Sequence, residues 1–117
     1  MQKWRKVIIT QRAKNDRLVL FNYNSKISLD YAIRIDKKIR SYINELKPYP
    51  YIGRYVPEIP DKRYRERICE KYRIIYLISE KYKTIFIRYI FNAKQDKSAF
   101  LENHKIEIFD FFNRLFN

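Results

Sequence analysis

One glycine, one cysteine and one histidine occur in the 117 residues. With Gly53 alone, no glycine-rich loop can fold around a phosphate, because such loops need several positions without a Cβ. Cys69 has no second cysteine to pair with, so nothing argues for secretion. One Cys and one His are too few for a zinc site. The carboxylates do not cluster for another metal, and no Cys–His–Asp arrangement is available. Neither a metal nor a cofactor is expected. Lys71 and Arg67 lie close to Cys69 in sequence, and such cations can depress a thiol pKa. Without a base beside it, Cys69 reads instead as a small buried thiol. His104 stands among Glu102, Asn103 and Lys105 and reads as a surface residue. The first residues, MQKWRKVIIT, lack the apolar stretch of a signal peptide. No run approaches the ~20 apolar residues that a membrane span requires. A reducing cytoplasm is the expected location, with no membrane partner.

Acid is also scarce. Lys and Arg total 26 against 13 Asp and Glu, a net charge of +13. A surplus of that size points to a polyanionic partner, whether nucleic acid, an anionic surface or an acidic protein. Aromatic groups are plentiful, with 11 Tyr and 8 Phe. Most belong in a core or lie along the surface with the hydroxyl in water, and some suit base stacking.

Residues 4–10, WRKVIIT, are β-branched and predict a short strand. Residues 11–25 predict a helix with Ala13, Leu20, Phe21 and Asn24 at helical spacing. Ser28 is an N-cap residue and Asp30 favours the first turn of a second helix. Ala32, Ile35, Ile39, Tyr42, Ile43 and Leu46 form its apolar stripe, with Arg34, Lys37, Lys38 and Arg40 mostly off it. Pro48 is expected to stop it. All four prolines and the glycine fall in 48–63, which reads as a loop with packing groups Tyr49, Tyr51, Ile52, Tyr55 and Val56. Three strands are expected at 64–69, 72–79 and 84–92, the middle one apolar on both faces and so central. Residues 98–116 predict a C-terminal helix whose Phe109, Phe112, Leu115, Phe116 stripe suits core packing on the sheet, with self-association or mimicry of a partner contact as the alternatives. The order predicts one α+β domain over 1–117: an N-terminal strand, an antiparallel helical hairpin packed on an antiparallel β-sheet, and an additional C-terminal helix.

The stretch YRERICEKYRIIYLIS, 64–79, places arginines at alternate positions beside the most apolar run. Glu70-Lys71 is a poor two-residue hairpin turn. A three-residue turn, Cys69-Glu70-Lys71, would pair Arg67 with Arg73 and Ile68 with Tyr72. Arg65, Arg67 and Arg73 would then share one open face, followed by Ile75 and Leu77. Tyr64, Ile68, Tyr72, Ile74, Tyr76 and Ile78 would face the helices. A two-residue turn would put Arg73 on the other face. Three guanidiniums on an open face suit a polyanion or a carboxylate-rich partner. The alternative is that Glu66, Glu58 or Asp61 pairs with them and tethers the preceding loop.

Ala13 and Asp16, then Leu46 and Pro48, then Gly53, Arg54, Val56, Pro57 and Glu58, then Arg65 and Glu66, then Tyr72, Arg73, Ile74 and Tyr76 together resemble the pattern of the RelE/ParE superfamily of type II toxin–antitoxin toxins. The resemblance spans about residues 4–100, and the family's fold has the same element order. It implies a toxin neutralised by a cognate antitoxin, here with an acidic amphipathic segment that wraps the hairpin and shields the arginine face. ParE-like plasmid-stabilisation members inhibit growth through DNA gyrase without hydrolysing a substrate. RelE-like members are ribosome-dependent mRNA endoribonucleases. The nuclease reading would use Arg65, Arg67, Arg73 and Lys94 on phosphate and rRNA, with Glu66 or Glu58 as base. The tyrosine and histidine of RelE-like patterns fall on Phe100 and Phe91, which carry no transferable proton. The Gly-Arg-x-Val-Pro-Glu and Arg-Glu motifs also lean to the ParE side. A ParE-like inhibitor is therefore expected, with Arg54, Arg65, Arg67, Arg73, Arg88 and Lys94 facing the target. Alanine at Arg73 is expected to abolish toxicity and leave the fold intact. A basic nucleic-acid-binding module without toxicity is the remaining alternative.

Overall fold

A computed structural model describes residues 6–94 together with Glu102, His104 and Lys105. The elements are β1 (Lys6–Ile9), α1 (Gln11–Ser25), α2 (Leu29–Asn44), β2 (Arg54–Tyr55), β3 (Tyr64–Cys69), β4 (Tyr72–Ser79) and β5 (Thr84–Asn92). The five strands lie in the order β1-β5-β4-β3-β2, so the apolar β4 is central as its composition requires. The sheet is mixed rather than antiparallel throughout: β1 runs parallel to β5, and the remaining pairs are antiparallel. A parallel pair needs a long connection, and β1 and β5 are joined through both helices and the three strands between them. The helix expected at 98–116 falls almost wholly outside the described residues, although Glu102, His104 and Lys105 are helical.

Local chemistry sets the helix starts. The Thr10 hydroxyl accepts from the Ala13 N–H at 3.2 Å and donates to the Ile87 carbonyl at 2.7 Å, so one side chain caps α1 and finishes the β1–β5 pairing. Asp16 continues this from the helix: its carboxylate accepts from the Ile90 N–H at 3.0 Å, beyond the reach of β1. Ser28 caps α2 by accepting from the Tyr31 N–H at 3.3 Å. Ala32, Ile35, Ile39 and Ile43 are buried along α2 and Leu46 just after it, the expected stripe. Asn24, the last buried residue of α1, donates to the Tyr72 hydroxyl at 2.9 Å and so ties the hairpin to the sheet.

Two cores result. On the helix side, Ile35, Ile39 and Leu46 pack on Cys69, Tyr72, Ile74, Tyr76, Ile85, Ile87 and Ile90. Each such aliphatic group contributes about 1.5–3 kcal/mol on full burial. On the far side, Val56, Ile59, Tyr64, Ile75 and Tyr89 form a smaller cluster. An extra residue in β5 separates the two faces at this level: Ile75 lies opposite Tyr89 but Tyr76 opposite Ile87, which makes Arg88 a bulge. The 48–63 segment runs from the end of α2 around the sheet edge, where it contributes β2, to the far face.

Candidate functional site

The β3–β4 connection is a two-residue turn, with Cys69 opposite Tyr72, Ile68 opposite Arg73 and Arg67 opposite Ile74. The expected three-residue register is therefore wrong. Glu70 adopts a left-handed φ of 56°, which costs a non-glycine residue about 1–2 kcal/mol. Its carboxylate bonds Lys38 at 2.9 Å and Arg34 at 3.4 Å on α2, and these contacts hold the turn. They also keep the Glu70 carboxyl below its usual range, chiefly through the Lys38 hydrogen bond.

Directly opposed residues share a face. Arg65 and Arg67 thus point to the helix side with Cys69, Tyr72, Ile74 and Tyr76. Arg73 lies on the far side with Tyr64, Glu66, Ile68, Ile75 and Leu77. The three arginines do not form one open patch, and Tyr64 and Ile68 do not face the helices.

Arg73 is 4% exposed and Glu66 1%. The Arg73 guanidinium bonds both oxygens of Glu58 at 2.7 and 2.8 Å, and its Nε bonds Glu66 at 2.7 Å. Glu66 takes a second guanidinium, Arg54 Nε, at 2.8 Å. The Glu58 hydrogen bonds, and then those to Glu66, hold Arg73 charged more firmly than usual against the opposing cost of burial. Phe91 stacks on the same guanidinium at 5.3 Å. This closed network fastens the 48–63 segment to the far face, and it meets the tethering alternative that the sequence left open.

Arg67 donates to the Tyr42 carbonyl at 3.0 Å and to Glu45 at 3.4 Å, with the Tyr42 ring 4.2 Å from its guanidinium carbon. It closes the end of α2, where carbonyls lack helical partners. Arg65 lies beyond that end. Its guanidinium is sandwiched between Tyr51 at 5.1 Å and Tyr55 at 4.5 Å, and its Nη1 donates to the Gly53 carbonyl at 2.8 Å. The arginines at every second position therefore supply cations for a Tyr–Arg column along the sheet edge. The column is locked underneath by Tyr76, whose buried hydroxyl accepts from the Gly53 N–H at 2.9 Å and donates to the Pro50 carbonyl at 2.9 Å. Burial pushes the Tyr76 pKa up.

The remaining candidates are dispersed. Arg54 is exposed beyond its bond to Glu66, Arg88 stacks on Tyr89 at 5.7 Å, and Lys94 is exposed in the turn after β5. His104 is not a surface residue: it is buried, bonds the Tyr89 hydroxyl through Nδ1 at 2.9 Å, and meets the Tyr64 ring edge-on at 5.3 Å. Its polar sequence neighbours concealed this, because Tyr89 and Tyr64 on the far face of the sheet are remote in sequence. Cys69 is buried, and desolvation raises its pKa despite Lys38 and Arg67, so the thiol is inert. Phe100 lies outside the described residues. Among the described residues no group of metal-ligating side chains occurs, and no helix is long and apolar enough to cross a membrane.

Residues 7–97 match the family model for the ParE toxin of the type II toxin–antitoxin system, parDE. The chain belongs to the ParE toxin family. It is thereby the toxin component of a type II toxin–antitoxin system. No curated protein sequence matches it. Its fold is similar to that of solved superfamily structures. A chain of the chromosomal ParDE system from Pseudomonas aeruginosa shares 19% identity over 76% of this chain and 96% of its own, with a TM-score of 0.63. A chain of the RelBE2 toxin–antitoxin complex from Mycobacterium tuberculosis shares 17% over 78% and 99%, with a TM-score of 0.59. A mutant of Escherichia coli RelE in the free state shares 14% over 80% and 86%, with a TM-score of 0.58. At these identities the likeness shows the fold.

Proposed function

We propose that this ParE-family toxin arrests growth by binding DNA gyrase in the cytoplasm, without cutting a substrate, until an antitoxin masks it. The observation that carries this reading is the closed Arg54–Glu66–Arg73–Glu58 network. Cleavage of RNA by its own 2′-hydroxyl needs a base and a cation free to meet developing phosphate charge. Here Glu66 and Glu58 both accept from guanidiniums, and Arg73 spends its donors on them. Phe91, at the histidine position of RelE-like patterns, packs on that same arginine. Arg54, Arg65, Arg88 and Lys94 remain candidates for the target face; the buried Arg73 leaves the set, as does Arg67, whose donors close the end of α2.

The antitoxin reading is supported by the hairpin surface. Leu18, Val19 and Tyr23 on α1, Ile27 in the turn, and Leu29 and Ile33 on α2 are all exposed. Scattered exposed apolar residues are ordinary, but a run of them on one hairpin of a +13 chain suits an amphipathic acidic segment. The solved relatives named for ParDE and RelBE2 belong to systems that pair a toxin with an antitoxin.

The test is induction of this chain alone in cells, with 5′-end mapping of mRNA after a few minutes and a gyrase supercoiling assay on purified protein. Growth arrest with intact mRNA and lost supercoiling supports the proposal. New cuts in codon phase within translated frames would make the chain a ribosome-dependent nuclease. Normal growth would leave only a basic binding module.

A further inference from the structure

The Tyr–Arg column has one unfilled position, at Arg65. A guanidinium offers a carboxylate its best two-point grip along the Nε–Nη2 edge. In Arg65 the protein uses only Nη1, toward the Gly53 and Tyr51 carbonyls. Nε is buried without an acceptor, and Nη2 carries no hydrogen bond among the described residues. Its neighbours differ: Arg67 has Glu45, Arg54 has Glu66 and Arg63 has Asp61. Among residues 6–94 no carboxylate stands ready to serve Arg65. Between residues 6 and 94 every Asp and Glu except Asp30, on the first turn of α2, is already in an ion pair. The walls are aromatic and reachable, with Tyr51 49% and Tyr55 52% exposed, and Tyr49 and Ile52 exposed in the same loop. Arginine flanked by tyrosines, with an apolar rim, is the composition of a protein-binding hot spot.

We propose that Arg65 is the receptor for a carboxylate of the antitoxin, met at the unengaged Nη2 beside Tyr51 and Tyr55, with the adjoining apolar residues of that acidic segment resting on Tyr49 and Ile52. The inference rests on the reading that an antitoxin neutralises this chain, and it adds a second anchor at the sheet edge to the apolar hairpin surface. The apolar rim favours a peptide carboxylate over a nucleic-acid phosphate, whose sugar neighbours gain little from Ile52. A second bond, to the buried Nε, requires Tyr55 to shift, since the Tyr51 hydroxyl is held by Glu80.

The test uses the full chain co-purified with the protein encoded immediately beside it as the antitoxin probe. Arg65→Glu is expected to weaken the complex at least tenfold, and Arg65→Lys, which keeps the charge but loses the fork, by a smaller factor. A Lys replacement of one antitoxin carboxylate should restore binding to the Arg65→Glu chain. That rescue separates a lost contact from a lost fold. Unchanged binding by Arg65→Glu, with the wild-type complex intact, would overturn the Arg65 assignment alone. Absence of any wild-type complex would overturn the antitoxin reading beneath it. If Arg65→Glu binds the antitoxin normally but loses growth arrest, or loses affinity for a 12-nucleotide oligo(U), the column serves the toxic target or RNA, and the proposal fails.

Discussion

At Gly53 a single hydrogen atom decides whether the 48–63 segment can reach the sheet. A Cβ there would lie 2.5 Å from both the Glu66 carbonyl oxygen and the Tyr76 hydroxyl. Gly53→Ala is expected to lose about 1–3 kcal/mol, since neither the β3 backbone nor the buried ring can give way freely. A denaturation midpoint measures this, and an unchanged midpoint would show that the contact is looser than described. Tyr76→Phe strands the Gly53 N–H and the Pro50 carbonyl and is expected to cost a similar 1–3 kcal/mol. Arg73 reverses its expected behaviour. Alanine there leaves Glu58 and Glu66 facing each other without their shared cation, and the expected loss is about 3–5 kcal/mol of stability. An Arg73→Ala chain that melts like wild type would refute the clamp. The motif residues around Gly53 and Arg73 were visible in the sequence, but their use was not. Alternation of arginines says which residues share a strand face, not which carboxylates the loop will bring to it.

The elements themselves were largely legible, because their causes are local. Ser28 caps, the α2 stripe repeats at three and four, and the strand runs are β-branched, whereas Thr10 read as the end of a strand and is the cap of α1. The β3–β4 register was not legible, because it is set by a carboxylate that reaches across to Lys38 and Arg34 some thirty positions earlier. Turn chemistry alone favoured the wrong length. Nor did composition announce β2, a two-residue strand inside a proline-rich segment, or the burial of His104 by groups on β3 and β5. The tethers at this scale predict a pH response. Glu70 is held below its usual carboxylate range by Lys38, and Asp61 by Arg63. A lowered folded-state pKa contributes stability that is complete above the unfolded value, near 4, and fades as pH falls through the folded one. Melting temperature should therefore drop on acidification below about pH 4. In Glu70→Gln the drop should be shallower, and an identical acid profile would show that the turn does not depend on its ion pairs.

For the whole molecule the charge imbalance becomes a rate and a salt dependence. With +13 spread over a small chain, encounter with an acidic partner is steered. The antitoxin complex is expected to associate at least tenfold more slowly between low salt and roughly 0.5 M salt, with dissociation changing less because the hairpin contact is apolar. Stopped-flow association across a salt series measures it, and a salt-independent on-rate would mean that the surplus charge serves another partner.

The parallel β1–β5 pair carries a consequence for the moment of synthesis. Thr10 closes on Ile87 across a separation of 77 residues, so β1 lacks its β5 partner until residues 84–92 have been made. At roughly 5–20 residues per second, that leaves about 4–15 s in which a nascent chain holds helices without a finished sheet. A ribosome translating this toxin carries it without a finished sheet until β5 is made, and any antitoxin already in the cell has that interval to be waiting.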